Sequence, residues 1–166
     1  MAGTVEALLL KVSDEGRARL TPPTVDLAAG TGLVLLPLTE EITEGLPGDG
    51  VVDGFYELTT GVADWARDLS RYGTVAYLHS EFFGGGGFHA AIAWRDGAVA
   101  WGPMFTATSA GEAEEHYTVA ADRHQMAANV LLRWLGVHRG DAIDEYAAAG
   151  LTNGRWTKDW ASQAAP

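Results

Sequence analysis

The chain contains no cysteine. That excludes a disulfide framework, a thiolate zinc site and a cysteine nucleophile, and it suits a reducing compartment. Basic residues are scarce, with 11 Lys and Arg against 22 Asp and Glu, a net charge of −11. Such a surface repels phosphate backbones, so nucleic-acid binding is disfavoured. A basic protein partner would be steered toward it, although the same charge also serves plain solubility. Long apolar runs are missing too. The first segment, Met1 to Val12, has one short apolar stretch, Val5 to Leu10, with no basic leader and no small-residue cleavage site. Nothing approaches the ~20 residues that span a bilayer. A cytoplasmic protein with no membrane partner is expected.

What is present fits a packed domain. Of the 166 residues, 47% are hydrophobic and 20% charged, the balance of a globular chain rather than a disordered one. No internal repeat or long linker divides it. The sequence is read as one domain over residues 1–161, with a frayed tail at 162–166.

The pattern predicts α+β architecture. An antiparallel sheet of about five strands is expected, packed against two longer helices and a short C-terminal helix. Thr4 to Val12 reads as a first strand and Leu33 to Thr39 as a second. Pro37 has no amide proton for a ladder, so the second strand should lie at an edge or end early. Residues 40–54 read as a surface loop and Phe55 to Leu58 as a short strand. Thr60 is placed at the cap of a helix ending at Tyr72, with Val62, Trp65, Leu69 and Tyr72 on one stripe and Gly73 as its stop. Asp122 with Gln125 forms a capping-box-like start for a second long helix, carrying Met126, Ala127, Val130, Leu131, Trp134 and Leu135 inward and stopped by Gly136. A short helix over Asp141 to Ala149 follows. Trp156 and Trp160, four apart, suit a last helical turn.

Residues 74–102 read as a three-stranded antiparallel meander. Asp96-Gly97 is a two-residue hairpin turn, because a type I′ turn needs positive φ at both positions. It sets Arg95 opposite Ala98, Trp94 opposite Val99, and Ile92 opposite Trp101. Phe88, Ala90, Ile92 and Trp94 then share a bulky face with Val99 and Trp101. Ala91, Ala93, Ala100 and Gly102 make a flat floor that another element can approach closely.

The sharpest candidate site flanks the glycine run. Pairing Phe82 with Phe88 matches apolar residues on the core face and leaves 83–87 as the loop. In that register Tyr77, His79, Glu81 and His89 share the other face, with Glu81 and His89 directly opposed. Two imidazoles and a carboxylate can hold a divalent metal or act as a general acid–base group, so His79, Glu81 and His89 are the candidate catalytic and metal-binding residues. The plainer reading is a polar rim with an ordinary His–Glu pair and no cofactor. The loop itself, Phe82, Phe83, Gly84, Gly85, Gly86, Gly87 and Phe88, is the candidate binding segment, since aromatics beside mobile glycines suit a contact surface.

Other motifs fail on chemistry. Gly84 to Gly87 lacks the Gly-Lys-Ser/Thr ending of a phosphate loop, and a strand follows where a dinucleotide fold needs a helix. No Gly-x-Ser-x-Gly elbow occurs. Glu112, Glu114, Glu115, His116, Asp122 and His124 match no metal-ligand spacing and read as a solvated acidic stretch with a helix cap.

The run Val75 to Gly87, Val-Ala-Tyr-Leu-His-Ser-Glu-Phe-Phe-Gly-Gly-Gly-Gly, followed by Ala90-Ala91-Ile92-Ala93-Trp94-Arg95-Asp96-Gly97, resembles a group of small bacterial proteins. These carry a Glu-Phe-Phe-Gly-Gly-x-Gly signature and a downstream Trp-x-x-Gly turn, often with Gln where this chain has His89. The group has no established activity. Some small acidic bacterial proteins of this kind look like immunity proteins that neutralise toxins.

The expected function is therefore a non-enzymatic acidic binding protein, immunity-like, that masks a basic partner and needs no cofactor. Two alternatives remain. One is a metal-dependent or acid–base enzyme using His79, Glu81 and His89. The other is a structural or regulatory homodimer subunit joined through the small-residue sheet face or the C-terminal tryptophans.

Overall fold

The structure is a computed structural model, and it describes residues 2–164. It is α+β. In chain order the elements are β1 (Ala2–Val12), α1 (Asp14–Ala18), β2 (Val25–Asp26), β3 (Val34–Pro37), α2 (Glu40–Glu44) and α3 (Thr60–Leu69). There follow β4 (Gly73–Phe83), β5 (Gly86–Arg95), β6 (Ala98–Ala107), β7 (Thr118–Val119), α4 (Ala127–Trp134), α5 (Glu145–Ala148) and α6 (Thr157–Ala164). Among the described residues no helix is long and apolar enough to cross a membrane.

The seven strands form one mixed sheet in the order β2-β3-β1-β4-β5-β6-β7. It has two strands more than the expected five, and its pairings are antiparallel except that β7 runs parallel to β6. Two-residue β2 and β7 carry too little pattern to be read from sequence. β1 sits between β3 and β4 with both faces covered, which is why Val5 to Leu10 reads as a nearly continuous apolar run. Val5, Ala7 and Leu9 face one core, and Leu8 and Leu10 the other.

Helices cover both faces. On one, Val62, Ala63, Ala66 and Leu69 of α3 pack with Leu8, Tyr77, Ile92 and Trp94. On the other, Ala127, Ala128, Leu131 and Leu132 of α4 share a core with Ala76, Leu78, Ala91 and Ala93, and Trp160 of α6 covers the β1 and β3 side of that core. The flat alanine floor does admit a close neighbour, but that neighbour is α4 of the same chain. It covers Ala91 and Ala93, whereas Ala100 and Gly102 of the same floor are exposed. Trp160 is buried as well, its Nε1 donating to the Gly154 carbonyl at 3.3 Å, so of the two C-terminal tryptophans Trp156 is the exposed one.

Several boundaries moved for local reasons. Thr59, not Thr60, caps α3, its hydroxyl accepting from the Val62 amide at 3.1 Å. The helix ends in a short 3-10 turn over Ser70–Tyr72, and Gly73 stops it at φ 151°, where a Cβ would lie 2.2 Å from the Lys11 carbonyl oxygen. β3 ends at Pro37, as its missing amide proton demands. Residues 40–44 are helical rather than loop, and Phe55 to Leu58 form no strand. Asp122 caps only a 3-10 turn at Arg123–Gln125, and α4 begins after Met126. α6 takes in residues 162–164, the first part of the expected tail, while 165 and 166 lie outside the described residues.

Candidate functional site

The β4–β5 hairpin turns on two residues, not five. Gly84 and Gly85 both have positive φ, 57° and 86°, and Phe83 pairs with Gly86. The register is therefore one residue away from the expected one. Glu81 faces Phe88, Ser80 faces His89, and His79 faces Ala90. A slip of one moves every side chain of β5 to the other face relative to β4. His79 and Glu81 stay together, with Nε2 and Oε2 at 3.3 Å, but His89 lies on the opposite side of the sheet. The expected three-residue group is not formed. Among the described residues no cluster of three or more His, Asp or Glu is placed to hold a metal ion.

The β5–β6 hairpin keeps its predicted start, with Arg95 opposite Ala98 and Trp94 opposite Val99. A bulge then sets Trp101 opposite Ala93 instead of Ile92. Trp101 consequently joins the α4 side, its ring 6.3 Å from Trp134.

On the α3 face the hairpin base carries a buried ionisable group. Glu6 of β1 lies directly across from His79, and Tyr77 donates its hydroxyl to Glu6 Oε2 at 2.5 Å. Burial raises the Glu6 pKa to about 7, against the lowering effect of the Tyr77 hydrogen bond, and exposed Glu57 adds to the rise. Burial lowers the His79 pKa to about 4, so its imidazole is neutral at neutral pH. Its Nδ1 is buried without a hydrogen-bond partner. Glu81 is raised by partial burial and by Glu57. Phe88 closes this group edge-on against His79, with ring centroids 5.6 Å apart.

On the α4 face His89 has a different task. Its Nδ1 accepts from the Ala128 amide at 3.1 Å, while the Thr106 hydroxyl accepts from the Ala127 amide at 2.8 Å. Two orphan donors at the start of α4 are thus met by side chains from the sheet, in place of a local cap. Burial lowers the His89 pKa to about 4, and His79 across the sheet adds to the effect. The neutral ring that accepts at Nδ1 must carry its proton on Nε2.

No family model, no curated protein and no solved structure matches this chain.

A pocket of about 420 Å³ opens beneath the hairpin on the α4 face, bounded by Ser80, Gly85 to Gly87, His89, Arg123, Asn129 and Tyr146. Buried Asn129 organises its far wall. Its Nδ2 donates to the Arg123 carbonyl at 2.8 Å, and its Oδ1 accepts from the Tyr146 amide at 2.8 Å. Asp144 also lines the pocket, but both its oxygens are engaged, Oδ1 by the Ala147 amide and Oδ2 by Asn129. The Tyr146 ring lies nearly parallel to His89, with centroids 6.4 Å apart. Its buried hydroxyl has Ser80 as a polar neighbour yet makes no hydrogen bond of good geometry.

The hairpin is braced from outside by Glu112, which accepts from the Gly87 amide at 3.1 Å, the Ser109 amide at 3.3 Å and the Thr108 hydroxyl. A Cβ on Gly86 would sit 2.1 Å from the Glu112 carboxylate, so that glycine lets the brace close. Of the three phenylalanines in the candidate binding segment, Phe83 is 44% exposed, Phe82 is half-buried and Phe88 is core. Sequence reasoning missed Glu112, Arg123, Asn129 and Tyr146 as site residues. One signal was available for them: Asn129 is a polar residue among the inward positions of an otherwise apolar helix.

Proposed function

We propose that the protein is a non-enzymatic binding protein, immunity-like in character, that masks a basic protein partner with the tip of its β4–β5 hairpin. The observation that carries this reading is Phe83, an exposed aromatic at the apex of a hairpin that a carboxylate braces just behind its turn. An apolar anchor in an acidic setting is what a cationic surface with an apolar centre would recognise. The net charge of −11 supplies long-range attraction. Glu81 and Glu112, on either strand side of the apex, supply the near field.

The test is capture of a basic partner from native lysate, followed by titration of the purified pair at rising salt. Binding should weaken steeply with ionic strength, and Phe83→Ser should weaken it by about tenfold or more at constant salt. A salt-insensitive association, or full affinity in the Phe83→Ser protein, would remove the proposal.

A second reading, an acid–base enzyme, draws on the His79–Glu81 contact and the high Glu6 pKa. Perturbed groups of this kind gather at catalytic sites, and also at purely structural ones. Any turnover found for this chain should vanish in Glu81→Gln while the melting temperature holds. Unchanged turnover in that variant would dismiss the reading.

A further inference from the structure

We propose that the pocket beneath the β4–β5 hairpin is a binding site for a small molecule carrying a carboxylate, held by His89 Nε2–H, the Tyr146 hydroxyl and the Arg123 guanidinium. The inference goes beyond partner binding at the hairpin tip and does not depend on it.

His89 has its Nδ1 committed to the Ala128 amide, so its proton sits on Nε2, where no protein group among the described residues accepts it. The Tyr146 hydroxyl is buried without a hydrogen-bond partner. A buried polar group in that state costs about 1–3 kcal/mol, and its presence calls for an explanation such as a ligand or an ordered water. Arg123 makes no ion pair among the described residues, in a chain with twice as many acidic as basic side chains.

The two carboxylates at the pocket wall each already have a partner within the protein. Asp144 accepts from the Ala147 amide and from Asn129, and Glu81, which also borders the pocket, has its Oε2 against His79 Nε2. What is uncommitted at the pocket is three donors, on His89, Tyr146 and Arg123. Three donors on residues that line one pocket, one of them a guanidinium, match the two oxygens of a carboxylate. Phe82, Met126 and the Tyr146 ring add apolar wall for the body of such a molecule. A volume of about 420 Å³ lies within the range of small-molecule sites, roughly 300–1,000 Å³. Neutral His89 fits the role, since a second full positive charge is not needed and the lowered pKa keeps Nδ1 free to accept.

The experiment is calorimetric titration of the full chain at neutral pH with the sodium salts of butyrate, succinate and benzoate. Inorganic phosphate and butylamine serve as contrasts. At least one carboxylate should bind saturably at one site per chain. Arg123→Ala and Tyr146→Phe should each weaken it by about tenfold, the loss of one good hydrogen bond to a charged group. His89→Gln, which keeps one acceptor and one donor, should retain most of the affinity, whereas His89→Leu should abolish it. The melting transitions of Arg123→Ala and Tyr146→Phe, neither of which removes a packing group, guard against misreading an unfolded protein. Absence of carboxylate binding, affinity unchanged in both of those variants, or preference for phosphate or butylamine would each overturn the assignment.

Discussion

The two faces of the β4–β5 ribbon carry the same kinds of residue and do opposite things with them. On the α3 face, His79 and Glu6 are shut in with Tyr77 and Phe88: Glu6 accepts from Tyr77, His79 Nε2 meets Glu81, and His79 Nδ1 is sealed without a partner and, among the described residues, with no pocket beside it. On the α4 face, His89 and Tyr146 hold a helix start and border a pocket, with donors left over. Both imidazoles have pKa values of about 4, from the same cause, burial. A depressed pKa alone therefore does not distinguish a sealed histidine from one that faces a guest. The partner atoms do.

The largest test of the comparison is acidification. Each histidine is neutral in the fold and titrates near 6.5 when unfolded, so its contribution is fully present above pH 6.5 and is lost as pH falls toward 4. The shift of His79 to about 4 corresponds to at most about 3 kcal/mol. His89 should contribute at the same order. Chemical denaturation between pH 7 and 4 should show His89→Gln gaining on the wild type as pH falls. Because Glu6 gains stability over the same range, the reading is the gap between the wild type and His89→Gln, and a gap that stays constant from pH 7 to 4 would break the comparison.

Glu6 runs the other way. Its folded pKa, raised to about 7, exceeds the unfolded value of 4.5, so stability is highest below 4.5 and declines until pH reaches 7. Glu6→Gln keeps an acceptor for Tyr77 and removes the buried charge. It should stabilise the protein by about 1–3 kcal/mol at pH 8 and make little difference at pH 4. Equal melting curves for the two proteins at both pH values would place the Glu6 carboxylate in water.

On the α4 face the expected sign is reversed. Thr106→Val removes the acceptor for the Ala127 amide and should cost about 1–2 kcal/mol, read as a lower denaturation midpoint with unchanged slope. The smallest effect belongs to Tyr146→Phe. Deleting a hydroxyl that has no partner should leave stability unchanged or raise it by up to about 1 kcal/mol. A clear destabilisation would mean that the hydroxyl is spent within the protein, and the pocket would lose a donor.

The fold class, the first strand, both hairpins and the stop signals at Gly73 and Gly136 were legible because each follows from local chemistry. The register of β4 against β5 was not. Matching apolar with apolar works when one face of a ribbon is wet. Here Ala90, Ile92 and Trp94 are buried on one face, and Ala91 and Ala93 on the other, so both alternations look equally good. The decisive information lay in the turn: two adjacent glycines at positive φ close a two-residue loop and fix every pairing behind it. The pocket was illegible for another reason. Its residues come from positions 80 to 146 on five segments, and nothing in their spacing announces that the chain will bring them together.

β1 pairs along its whole length with β4, Ala2 meeting Phe83 and Val12 meeting Gly73. The innermost seam of the sheet therefore joins residues some sixty to eighty positions apart, and a chain growing from its first residue must hold one margin of β1 open until β4 emerges. Closing that seam is a slow, high-contact-order event. During that interval, the nascent chain displays the leucines of β1 without their later partner, which is when this protein is most exposed to aggregation during its synthesis.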